Sequence, residues 1–130
     1  MRHRWLCAAL ALPLLAACGP RPAATPTPAE IRQRLEQACG IHLAELPEVR
    51  KSSRVRGAPG KGWSDWVSAT IVLPAAEAPA AIEALRRNRT LQRRGESDSR
   101  YSYESVPGVL PETSCELDTA QHLLYFSDTR

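Results

Sequence analysis

The chain predicts an α+β domain, with two helices packed on one face of a small antiparallel sheet of about four to five strands. Three observations carry that expectation. Ile31, Leu35, Ala38 and Cys39 recur at the spacing of one helix face. Val67, Ala69, Ile71 and Leu73 alternate with Trp66, Ser68, Thr70 and Val72, as on a half-buried strand. The element order reads helix, two strands, helix, three strands, which suits an antiparallel sheet with its helices on one side.

The first helix is expected from about Pro28 to Cys39. Thr27 can cap it, Pro28 suits the first helical position, and Glu30 has the spacing of a capping box. Gly40 fits a left-handed terminator, and Ile41 follows to pack back. Pro47 breaks any helix, and the basic stretch from Glu48 to Arg56 reads as an edge-like strand. Gly57 to Gly62 is a loop by composition, so Trp63 to Leu73 completes a hairpin. Pro79 fits only near a helix start, which places the second helix at about Ala78 to Arg89, with Ala78, Ile82 and Leu85 as its stripe. Arg93 to Arg100 reads as a polar loop. Strands follow at Tyr101 to Val106, Cys115 to Asp118 and Leu123 to Phe126, with Pro107-Gly108 as a turn.

The N-terminus has a different character. Arg2, His3 and Arg4 precede a short apolar run from Trp5 to Leu15. That run is too short to span a bilayer core, which needs about 20 residues. A charged start, a short apolar core and small residues at its boundary read as a cleaved secretory signal. Leu15-Ala16-Ala17-Cys18 ends it. These four residues, with what precedes them, resemble the lipobox of bacterial lipoproteins; the resemblance covers about the first twenty residues. It implies cleavage after Ala17, a diacylglyceryl thioether on Cys18 and acylation of its new amine, the palmitate-type anchor. In Gram-negative members an aspartate after the cysteine favours inner-membrane retention. Gly19 therefore implies a periplasm-facing anchor in the outer membrane.

The expected organisation is a signal peptide over residues 1–17, a lipidated cysteine and proline-rich tether over 18–27, and one domain over 28–130. At about 3.1 Å per residue, the tether holds that domain roughly 30 Å or less from the lipid. With Cys7 removed and Cys18 lipidated, Cys39 and Cys115 remain. In an oxidising compartment two cysteines allow one intramolecular disulfide, and neither belongs to a metal-ligand cluster.

The formal charge of +3 includes Arg2 and Arg4. The mature chain is close to neutral, which argues for no nucleic-acid partner. Its charge is segregated, however. Arg50 to Arg94 holds ten basic residues against Asp65, Glu77 and Glu83, whereas Gly95 onward holds seven acids against Arg100 and Arg130. Arg50, Arg54 and Arg56, at alternate strand positions, and Arg86, Arg87, Arg89, Arg93 and Arg94, around the second helix end, are candidate partner-binding cations. A solvated face neutralised within the fold is the competing explanation. Trp63 and Trp66 fall on opposite strand faces, and one of them can anchor a partner at the loop mouth.

Motifs for catalysis are missing. No serine sits in G-x-S-x-G or S-x-x-K, and Gly57 to Gly62 lacks the phosphate-loop spacing. His42 and His122 lie far apart with no flanking ligand spacing, and Asp65, Glu104, Glu116 and Asp118 define no carboxylate pair. The sequence thus implies no catalytic residue, no metal and no cofactor. The expected role is a non-enzymatic binding or accessory module of the cell envelope, with an envelope protein or an anionic surface as partner. The alternative is an immunity or inhibitor protein directed at a toxin or lytic enzyme. A small hydrolase is the third reading.

Overall fold

The computed structural model describes residues 24–57, 65–108 and 110–130. The signal, Cys18, Trp63 and most of the hairpin loop lie outside the described residues.

Helix α1 runs Pro28–Cys39 as expected. Thr27 Oγ1 accepts from the Glu30 backbone N–H at 3.2 Å, while the Glu30 carboxylate turns away to ion-pair with Arg54 and Arg34. Gly40 closes the helix at φ 71°, a conformation glycine adopts without steric cost, and its N–H donates to the Glu36 carbonyl. Strands β1 (Val49–Arg56) and β2 (Asp65–Val72) form the first hairpin. A 3-10 turn, Ala75–Glu77, leads into α2, Ala78–Arg87. Strands β3 (Leu91–Glu96), β4 (Arg100–Ser105), β5 (Glu112–Asp118) and β6 (Leu123–Thr129) follow as a meander.

The strand order is β1-β2-β6-β5-β4-β3, all antiparallel. The connection through α2 carries the chain from β2 to the far edge, and the meander returns until β6 pairs with β2. This corrects the expected α+β domain of four to five strands. The sheet has six strands, and strand residues outnumber helical ones. The strand not foreseen is β3. Its side chains are exposed except for Leu91 and Glu96, and a register shift between Arg93 and Gly95 breaks its alternation. An edge strand facing water on both sides reads as a polar loop because little of it is buried.

One face of the sheet is the core face. Val67, Ala69 and Ile71 of β2, Leu124 and Phe126 of β6, Cys115 and Leu117 of β5, and Tyr103 of β4 point into it. Ile31 and Leu35 of α1 and Ala81 and Leu85 of α2 enter the same core. Fully burying the valine, leucine, isoleucine and phenylalanine side chains among them contributes about 1.5–3 kcal/mol each.

The expected disulfide is also corrected. Cys39 and Cys115 are fully buried and face one another, but both are free thiols. They share a hydrogen bond, which, with burial, pushes the Cys39 thiol strongly upward in pKa. Sequence placed the right two residues in contact. A bond would require the sulfurs near 2.05 Å, closer than this thiol pair stands.

Candidate functional site

The second face of the sheet carries no helix among the described residues, and apart from the buried Asp118 its side chains run from half-buried to exposed. Strand registers order them into rows crossing the strands. One row reads Ser53, Ser68, Ser127 and Ser114 over β1, β2, β6 and β5, continuing to Glu104 on β4. The row on one side holds Val55, Trp66, Thr129 and Glu112; the row on the other holds Lys51, Thr70, Tyr125, Glu116 and Ser102. Small hydroxyl side chains between larger neighbours make a trough. Two depressions occupy it, meeting at Ser114 and Ser127. One, of about 270 Å³, lies against Tyr125, Thr70 and Lys51; the other, of about 210 Å³, lies against Trp66 and Glu112.

Charges on this face are largely paired within it. Arg100 reaches Glu116 at 3.3 Å and Asp118 at 3.5 Å, and Arg94 reaches Glu104 at 3.0 Å. Ser53 and Ser68 share a hydroxyl contact of 2.8 Å. The trough therefore offers hydroxyl donors and acceptors beside two aromatic rings, with little net charge. Tyr125 is 37% exposed.

Candidate cations separate into two groups. β1 and β3 are opposite edges of the sheet, five strand spacings or about 24 Å apart. The structure therefore does not join Arg50, Arg54 and Arg56 to Arg93 and Arg94 in one surface. Arg50 and Arg56 are exposed, with Arg50 3.4 Å from Glu48. Arg86 lies 3.0 Å from Glu96 and over the Tyr101 ring at 5.7 Å, and Arg87 lies 3.5 Å from Glu83. Arg89 is exposed. Glu96 accepts from Arg86 and from the Tyr103 hydroxyl, and these bonds hold its carboxyl down at a pKa of about 2.

Arg54 is not a surface cation. It and Ser52 turn toward α1, and its side chain is 9% exposed. It ion-pairs with Glu30, approaches Asp65 at 3.2 Å, and donates to the Ala24 carbonyl at 3.2 Å. Arg34 of α1 joins the same group, pairing with Asp65 and with Asp128 at 3.1 Å. Asp128 is fully buried and also receives Thr113 at 3.3 Å and Arg130 at 2.8 Å. Three arginines and three carboxylates thus neutralise one another where α1 crosses β1, β2 and β6. Between Arg54 Nε and Asp65 Oδ1 the contact is one of charge, without hydrogen-bond geometry. The sequence signal for this clamp was faint: an arginine, Arg34, one residue before Leu35 of the apolar stripe.

His42 is exposed beside Glu36 at 3.4 Å, and His122 is exposed in the β5–β6 turn at φ 56°. No three histidine, cysteine or acidic side chains come together as metal ligands among the described residues, and no described helix is long and apolar enough to cross a membrane. Comparison with known proteins matched no family model, no curated protein and no solved structure.

Proposed function

We propose that this chain is a lipid-anchored lipoprotein of the cell envelope, held through Cys18 to the periplasm-facing side of the outer membrane. Its domain acts as a non-enzymatic binding module, and its ligand is an uncharged, hydroxyl-rich glycan of the envelope. The observation that supports this reading is the open trough between Trp66 and Tyr125, floored by Ser53, Ser68, Ser127 and Ser114. Serine hydroxyls donate and accept, as sugar hydroxyls do, and aromatic rings offer flat apolar surface to the C–H faces of sugar rings. A charged peptide would find few partners here, because Arg94, Arg100, Glu104 and Glu116 already pair with one another, leaving Lys51 and Glu112 at the trough's margins. The serine floor spans three strand spacings, about 14 Å, enough for a short oligosaccharide.

The test uses the full-length protein from a Gram-negative host. Mass spectrometry of its N-terminal peptide is expected to show acylated Cys18, and Cys18→Ser to leave the protein unprocessed. Calorimetric titration with a β-1,4-linked N-acetylglucosamine oligosaccharide is expected to produce a saturable heat change. Trp66→Ala with Tyr125→Ala should abolish the change at unaltered melting temperature. Saturable binding that survives this double substitution, or no binding at all, overturns the trough as the ligand site.

A further inference from the structure

The tether does not swing freely up to Thr27. Pro26 is buried, and the Ala24 carbonyl accepts from Arg54 on β1. The chain therefore joins the domain at Ala24, against the β1 edge. Only six residue steps separate Ala24 from Cys18, and fully extended they span at most about 22 Å. This length starts from the strand whose exposed cations are Arg50, Lys51 and Arg56, with Val55 exposed beside them. Glu48 offsets one of those charges. The opposite edge, β3, lies about 24 Å farther along the sheet.

We infer that the β1 edge is a membrane-facing surface, and that its partner is the anionic phospholipid headgroup layer in which the Cys18 lipid is anchored. The inference rests on the lipoprotein reading above. A short tether holds Arg50, Lys51 and Arg56 near the bilayer, where each lysine or arginine strengthens association about fivefold and the attraction fades beyond a Debye length. The domain then stands on β1 with its open trough facing sideways along the membrane, and β3 points away. Arg86, Arg87 and Arg89 take no part.

The experiment places a nitroxide label at Val55→Cys on β1 or at Gln92→Cys on β3. Both positions lie on the open face, at opposite edges. The acylated full-length protein is reconstituted into vesicles of phosphatidylglycerol and phosphatidylcholine carrying a headgroup paramagnetic relaxer. Stronger relaxation at 55 than at 92 is expected. The contrast should collapse in pure phosphatidylcholine, in high salt, and on replacing Arg50, Lys51 and Arg56 by serine. Equal relaxation at both positions overturns the inference, and so does a contrast indifferent to lipid charge. Protein recovered without acylation at Cys18 instead overturns the anchor reading, so the two failures are distinguishable. A circular dichroism melt of the triple serine variant, expected unchanged, separates lost docking from unfolding.

Discussion

The two edges of the sheet are both rich in arginine and put it to opposite uses. β1 carries Arg50, Lys51, Arg54 and Arg56, and β3 carries Arg93 and Arg94. On β3 both arginines stay in water, near Glu96 and Glu104. On β1, Arg54 is drawn inward to Glu30, Asp65 and the Ala24 carbonyl. The difference teaches that a basic run is three things at once. Part of it guards an edge against pairing with another strand, part is a fixed structural charge, and part is left over for a partner.

Removing the centre of the inward group should give the largest effect. Asp128→Ala leaves Arg34 and Arg130 around an empty buried site, and a loss of about 3–5 kcal/mol in urea denaturation is expected. Arg54→Ala should cost about 2–3 kcal/mol, because Glu30 and Asp65 lose their shared cation. It should also open Ala24 to Pro28 to limited proteolysis. A cost below that of a surface arginine would dissolve the contrast between the edges.

Glu96 sharpens it on the β3 side. Its pKa in the fold, about 2, lies below the ordinary glutamate value of 4.5. Its contribution is therefore complete above about pH 4.5 and is lost as pH falls toward 2. Glu96→Gln should lower stability at neutral pH and flatten this stretch of the stability–pH curve, as followed by thermal melts. The smallest effect belongs to Arg94→Ala, expected within about 0.5 kcal/mol of the parent. Replacing Arg93 and Arg94 together by threonine should leave the melt nearly unchanged and raise light scattering on concentration, because the edge loses its guard.

How much of this was legible follows from what each residue type reports. α1 could be read from end to end because cap, stripe and terminating glycine agree on where it starts and stops. β2 was legible from alternation, since one of its faces is core. β3 was not, because an edge strand with a bulge buries almost nothing and leaves no period. The direction of Arg54 was hidden for another reason. Alternation puts it with Ser52 on one face of β1, but that face turns toward α1, and only the acids arriving from Glu30 and Asp65 make a charge tolerable there. The trough was half visible: Trp66 stood out, whereas the serine row exists only once four strands are in register.

The place of β6 carries one more consequence. The last strand in sequence sits in the middle of the sheet, between β2 and β5, and contributes the buried Asp128. Until Leu123 to Thr129 are available, the first hairpin and the β3–β5 ladder have no common neighbour and the core lacks Leu124 and Phe126. A chain synthesised from its N-terminus thus stays open until β6 has emerged. For a protein that we propose is threaded through a translocation channel, such lateness is useful. The polypeptide remains thin enough to pass, and it locks only after β6 has arrived on the far side.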